Sequence, residues 1–220
     1  MIDGFERGIE DITVQEIESV TVLKDAAALA LYGVRGANGV VYIKTKRGVV
    51  GKPVINFNYE FNFGTPNRLP KFVDGYTYAQ ALNEGLRNDG LSPRYSQREL
   101  DAFRDQTYPD FYPNVDWWDE ALRDHSYGDN VNFNIQGGSE KVRYFAQLNW
   151  LDDRGILKPV SDNEGYSGQL KYSKVNIRTN LDIQATKTTQ VQIGMLGNFA
   201  EHNRPGATVG NLFGALYQVP

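Results

Sequence analysis

Beyond residue 51 the chain alternates apolar and polar positions with a period of two in five segments, the pattern of strands whose faces meet different surroundings. In 54–63, Ile55, Phe57, Tyr59, Phe61 and Phe63 share one face, and Asn56, Asn58, Glu60 and Asn62 the other. In 130–136, Val131, Phe133 and Ile135 oppose Asn130, Asn132, Asn134 and Gln136. From 142, Val142, Tyr144, Ala146, Leu148 and Trp150 oppose Arg143, Phe145, Gln147 and Asn149. In 175–185, Val175, Ile177, Thr179, Leu181, Ile183 and Ala185 oppose Asn176, Arg178, Asn180, Asp182 and Gln184. In 190–199, Val191, Ile193, Met195, Gly197 and Phe199 oppose Gln190, Gln192 and Asn198, with Leu196 out of pattern. Between the first two segments the period changes. Asp74 to Asn88 places Tyr78, Ala79, Leu82 and Leu86 near one helical face. Ser96 and Glu99 fit a capping box ahead of Leu100 and Phe103, and Asp116 can cap a helix from Trp117 to Leu122.

Most of the alternating runs are about ten residues long, the length a tilted strand needs to cross a bilayer. Strands of a soluble sandwich are nearer five or six. The polar faces are rich in Asn and Gln and poor in Lys and Glu, which suits a hydrated lumen. Aromatics gather near strand ends (Phe61, Phe63, Trp150, Tyr166, Tyr172), where interfacial girdles sit. Gly137-Gly138-Ser139-Glu140-Lys141 and Thr186-Lys187-Thr188-Thr189 are tight turns, whereas the connections 64–129 and 153–165 are long. Short turns alternating with long loops are the habit of bacterial outer-membrane barrels. The smallest such barrels have about eight strands, so this chain is expected to form an incomplete barrel, an open curved sheet with two unpaired edges.

The stretch Ile17 to Gly48 reads differently. Ile17–Leu23 alternates as a strand, Asp25 can cap Ala26-Ala27-Ala28-Leu29-Ala30-Leu31 as a helix, and Val40-Val41-Tyr42-Ile43 is a buried strand. Gly33 can end the helical turn, and Gly36, Asn38 and Gly39 permit positive φ in the tight loop that follows. The glycines do not make a phosphate loop, because there the helix follows the glycines and offers its N-terminus. Here the helix comes first.

This string, with Lys24-Asp25, Tyr32-Gly33, Arg35-Gly36, Asn38-Gly39 and a closing Thr45-Lys46-Arg47-Gly48, resembles the end of the plug domain of TonB-dependent outer-membrane transporters of the SusC/RagA branch. Pro93-Arg94-Tyr95-Ser96, Tyr112-Pro113-Asn114-Val115-Asp116-Trp117 and Gly137–Lys141 with Tyr144-Phe145 are similar to the same family. The resemblance implies an α+β plug remnant over 1–50, followed over 51–220 by antiparallel transmembrane β-barrel strands. Connections 64–129, with its helices, and 153–165 would be extracellular loops. It implies energised import of an oligosaccharide or peptide across the outer membrane, with a SusD-like surface lipoprotein as lid and the TonB complex pulling on the plug. Membrane lipid would surround the strands. Ile2-Asp3-Gly4-Phe5 resembles a mid-plug strand and turn, and Asn211 to Pro220 stops abruptly, so a fragment of a longer protein is expected.

Composition narrows the alternatives. A net charge of −4 argues against a nucleic-acid partner. With no cysteine there is no disulfide framework, thiolate metal site or cysteine nucleophile. His125 and His202 are too far apart in sequence to suggest a histidine site, and no catalytic or cofactor-binding constellation stands out, so an enzyme is not expected. No apolar run reaches the roughly 18 residues of a membrane helix, which says nothing of barrel strands. The first residues carry no basic and apolar leader pattern, a further reason to expect a fragment.

Some residues admit two roles. Tyr108, Tyr112, Trp117 and Trp118 can stack on sugar faces or pack the loop helices onto a barrel rim. Arg35 is a functional charge or an ion-pair member inside the plug. Asp152, Asp153, Asp162 and Glu164 match no calcium-loop spacing and read as a solvated acidic loop. The rival architecture is a soluble β-rich carbohydrate-binding or adhesion module, in which the apolar faces would pair into a closed core instead of forming one outward band.

Overall fold

The structure is a computed structural model and describes residues 1–24, 32–36, 39–158 and 168–216. Two sheets account for its strands. In the first, β1 (Ile17–Leu23) pairs antiparallel with β2 (Val40–Thr45), with a register shift between Ile17 and Ser19. The second follows chain order, β3 (Gly51–Gly64), β4 (Ser126–Gly138), β5 (Val142–Arg154), β6 (Lys171–Gln184) and β7 (Gln190–Asn203), so each strand neighbours the next. It does not close among the described residues: β3 and β7 are its edges.

All five alternating segments are strands, and each extends further than the alternation reaches, to 13 or 14 residues. The extra residues, such as Asp152-Asp153-Arg154 and Glu201-His202-Asn203, carry no apolar stripe. Backbone pairing continues past the end of the pattern that signals it. The expected turns also form. Ser139 N–H bonds the Val142 carbonyl at 2.7 Å, and Ala185 N–H bonds that of Thr189 at 2.9 Å. Gly138 takes a φ of +145°, and a Cβ there would lie 2.3 Å from the Val142 carbonyl oxygen.

The chain divides into two compact units. The first comprises described residues of Met1–Asn62, Tyr127–Asp153 and Lys171–His202. Its burial is inverted relative to a water-soluble protein. Along β6, Lys174, Asn176, Arg178, Asn180 and Asp182 are buried, while Ile177 on the opposite face is 45% exposed. β4 buries Asn132 and Asn134 and exposes Phe133; β5 buries Gln147 and Asn149 and exposes Leu148 and Trp150. Phe145 is the exception, fully buried among the polar positions. The edge strands expose both faces, with Phe57 at 68%. Among the described residues the apolar stripes of this sheet form no closed core of the kind a soluble sandwich would have.

The second unit comprises described residues of Phe63–Ser126, Arg154–Leu170 and Asn203–Pro220. It holds α1 (Gly75–Asn88), α2 (Gln97–Asp105), α3 (Trp117–Ala121) and α4 (Val209–Leu216). Two begin at the caps read from sequence, Ser96 with Glu99 closing a capping box and Asp116 accepting from Trp118 N–H, and α1 begins at a further cap, Asp74, which accepts from Thr77 N–H. The buried stripe of α1 runs through Gly75, Ala79 and Asn83, not through Tyr78, which is exposed. Tyr78 lies about 100° round the helix from Ala79, off the stripe. Ala79, Leu100 and Phe103 form one small core, and Trp118, Leu122 and Leu157 a second, on which Leu212, Phe213 and Leu216 of α4 pack.

Candidate functional site

Two of the signature glycines take backbone conformations that suit glycine. Gly33 and Gly39 have φ of +59° and +86°, conformations that disfavour a side chain. Gly39 donates to the Gly36 carbonyl at 2.8 Å, and a Cβ on it would sit 3.2 Å from the Leu23 carbonyl oxygen. Gly36 is buried, Tyr32 half-buried and Lys24 exposed. Asp25 and Asn38, the expected helix 26–31 and the side chain of Arg35 lie outside the described residues. Gly48 has a packing reason: a Cβ there would fall 2.1 Å from the Tyr144 backbone nitrogen, so the chain can pass over β5 only as glycine.

The chemistry of the first unit lies where the N-terminal segment meets the polar face of β5 and β6. Arg178 donates through Nε to Glu16, which is fully buried, and through Nη1 to Asp3 at 3.4 Å. Glu16 also accepts from the Thr13 backbone at 3.1 Å and its hydroxyl at 2.8 Å, while Asp3 accepts from the Thr45 backbone at 2.9 Å and its hydroxyl at 2.5 Å. Two inward positions further along β6 the charges are exchanged. Asp182 on the strand accepts from Arg47, whose Nε lies 3.0 Å from both carboxylate oxygens. These hydrogen bonds raise the Arg47 pKa above its ordinary value and keep it charged. Between the two pairs, Asn180 donates to the Lys46 carbonyl at 2.7 Å and the Thr45 hydroxyl at 3.2 Å. Lys174 donates to the Glu10 carbonyl, and Gln147 to the Thr13 hydroxyl at 2.6 Å. Buried charges of this kind persist only when paired and hydrogen-bonded.

Sequence reasoning placed Arg178 and Asp182 on a polar face but found neither their partners nor their burial. The signal was present in the spacing of Lys174, Arg178 and Asp182, three charges on alternate inward positions of a strand otherwise facing with Asn.

The loop aromatics divide. Trp118 is 8% exposed, stacks on Phe72 at 5.1 Å, meets Phe213 edge-on at 5.5 Å and donates its indole N–H to the Pro70 carbonyl at 2.7 Å. That is a packing role. Tyr112 meets Phe103 edge-on at 5.2 Å, and Trp117 is half-buried. Tyr108 is 53% exposed and borders a cleft of about 560 Å³ with Tyr112, Ser96, Glu99 and Asp105. Asp152 is buried and bonded to Ser173 and Lys171, whereas Asp162 and Glu164 lie outside the described residues. Among the described residues no group of three His, Asp or Glu side chains is placed to hold a metal ion.

No family model matches the chain. It is 30% identical over 217 residues, 96% of its length, to TonB-dependent receptor P26 of Formosa agariphila. It is 31% identical over 158 residues, 71% of its length, to TonB-dependent receptor SusC of Bacteroides thetaiotaomicron. The chain spans 20% of the first relative and 14% of the second. Among solved structures, the RagAB peptide importer in its closed-closed state covers 94% of the chain with a TM-score of 0.69 at 20% identity, and the open-open state 92% with 0.68 at 19%. The chain matches 24% of that neighbour, and the likeness is one of fold. Resemblance to SusC/RagA-like TonB-dependent receptors thus runs along nearly the whole chain.

Proposed function

We propose that this chain, SusC/RagA-like along nearly its whole length, is the part of an outer-membrane importer where plug meets barrel. Residues 1–50 are the C-terminal part of the plug, and 51–220 the first barrel strands with loops 64–129 and 153–165 outside. The observation that carries this reading is the inverted burial of β4 to β6, whose Asn, Gln and charged side chains are buried while Phe133, Leu148, Trp150 and Ile177 are exposed. In water that arrangement forfeits the hydrophobic driving force, at roughly 25 cal/mol per Å² of apolar surface left exposed. Against lipid it costs nothing, and Gln147, Lys174, Arg178, Asn180 and Asp182 find partners among residues 3–47.

The imported ligand is an oligosaccharide or peptide. A SusD-like lipoprotein lids the barrel, and TonB supplies the pull on the plug. The paired strand faces and the plug bonded to them block the lumen until that pull arrives.

The test uses the full-length protein. It should fractionate with the outer membrane, and fluorescent oligosaccharide or peptide uptake should vanish both on deleting its gene and on collapsing the proton gradient. Recovery of the full-length protein as a monodisperse, detergent-free monomer would favour the soluble binding module instead.

A further inference from the structure

The cleft of about 560 Å³ in the second unit sets polar side chains beside an uncommitted aromatic ring. Helix α2 lends it Arg98, Asp101 and Asp105, and the turn behind the helix lends Thr107, Tyr108 and Tyr112. Gln106 ends α2 at a φ of +51°, and the Tyr108 carbonyl then accepts from the Phe111 and Tyr112 N–H groups at 3.0 and 2.9 Å, which closes the turn. Tyr112 fastens it by meeting Phe103 edge-on. Tyr108 is left out of the packing. It is 53% exposed, and among the described residues its side chain makes no hydrogen bond, ion pair or ring contact. Arg98 and Thr107 are uncommitted in the same sense. Asp101 and Asp105 are held by Arg104 at 3.3 and 2.9 Å, and hydrogen bonding to Arg104 keeps the Asp105 carboxyl below its ordinary value. A carboxylate offers about four lone-pair sites, so both can accept further hydrogen bonds.

A bound peptide needs a free strand edge or apolar pockets for its side chains. One wall of this cleft is a helix, and Ala102 is the one aliphatic side chain among its lining residues. A sugar ring asks for other partners: a flat apolar face for its C–H groups, and charged or polar groups at the edge for its hydroxyls. We propose that the cleft is a sugar subsite, in which a pyranose of a neutral oligosaccharide stacks on Tyr108, donates hydroxyls to Asp101 and Asp105 and accepts from Arg98. Glu99, Asp101 and Asp105 outnumber the cations Arg98 and Arg104, so a carboxylated or sulfated sugar meets like charge. The subsite's part in uptake rests on the importer reading, where it selects oligosaccharide over peptide on the outer loop 64–129.

Titration calorimetry on the full-length protein tests this, in lipid nanodiscs or, should it fractionate as soluble, in buffer. The probes are neutral oligosaccharides of glucose, galactose, mannose and xylose, an oligogalacturonate and a mixed octapeptide library. At least one neutral oligosaccharide should bind, and more tightly than the oligogalacturonate or the peptides. Tyr108→Ala should weaken that binding at least tenfold with the urea midpoint kept, and Tyr108→Phe, which retains the ring, should stay within threefold of wild type. Phe111→Ala should leave it unchanged, since Phe111 is 81% exposed but does not line the cleft. Asp101→Asn/Asp105→Asn should narrow the gap between neutral and acidic sugars. Binding of no neutral probe, binding indifferent to Tyr108→Ala, or an equal loss from Phe111→Ala overturns the subsite. Failure of the importer reading shows elsewhere, as absence from the outer membrane or uptake that survives gene deletion, so the two outcomes are separable.

Discussion

Asn83 is buried in α1, and its amide makes both bonds a backbone can offer, donating to the Tyr95 carbonyl at 2.7 Å and accepting from the Tyr95 N–H at 2.9 Å. Asn83→Ala leaves both groups unpaired, at a cost of about 1–3 kcal/mol. Trp118→Ala empties the centre of the second small core and should cost about 3–5 kcal/mol, whereas Tyr108→Ala, at an exposed position, should stay within about 0.5 kcal/mol. Urea midpoints from pulse proteolysis of the full-length protein would rank the three. The caps make a pH prediction. Backbone and hydroxyl bonds from Thr77 lower the Asp74 pKa, and those from Ser96 lower that of Glu99. A carboxylate depressed in the folded state contributes fully above its unfolded value, about 4, and loses that contribution as pH falls through the folded one. Proteolytic resistance of the loop should therefore be flat from about pH 8 to 5 and drop below about 4. Asp74→Asn/Glu99→Gln should start lower at neutral pH and show a shallower acid drop.

At the scale of elements, much was legible because the signals are local. The alternation of 175–185, the Gly-Gly-Ser turn at 137–139 and the Ser96–Glu99 box each rest on neighbours in sequence, and each forms. Period two names the faces of a strand but not which one is inside. That is settled by what lies opposite, and for β6 the opposite groups, Asp3, Glu16 and Arg47, are more than 130 residues away. Helix α4 has a cap in Thr208, whose hydroxyl accepts from the Asn211 N–H at 3.2 Å, but Asn211 to Leu216 offers no polar face to mark a helix, and packing on the Trp118 core holds it. The face assignment can be tested residue by residue, since this stretch contains no cysteine. In membranes, Ile177→Cys should react with a lipid-soluble maleimide and Asn176→Cys should not; equal reactivity would contradict the inverted strand. Gly138→Val should be far more damaging than Gly206→Val, because the first meets the Val142 carbonyl and the second nothing within 4 Å.

For the molecule as a whole, the governing fact is that, among the described residues, β3 and β7 are edges of the five-stranded sheet and its buried face is mostly polar. The backbone groups of β3 and β7 that face away from the sheet lack strand partners among the described residues, and both flanking faces are exposed. Two consequences compete. The polar clasp between β6 and the N-terminal segment favours a compact first unit, but buried ion pairs contribute little net stability once desolvation is counted. Edge exposure and an outward apolar band favour association, through strand addition and hydrophobic contact. The second effect is the larger: burying side chains more than half exposed, such as Phe57, Phe61 or Phe199, is worth about 1–2 kcal/mol each, and the band holds many. The 220-residue chain produced alone should therefore be oligomeric or aggregated in plain buffer and disperse only with detergent, as read by light scattering behind size exclusion. Extending it through enough further strands to pair β7 onward and return to β3 should remove strand addition, because closure satisfies both edges at once, and leave only the detergent requirement of the outward apolar band. Reversible two-state unfolding of the isolated chain as a detergent-free monomer would mean that the apolar faces have found each other, and that the sheet is not the wall of a barrel.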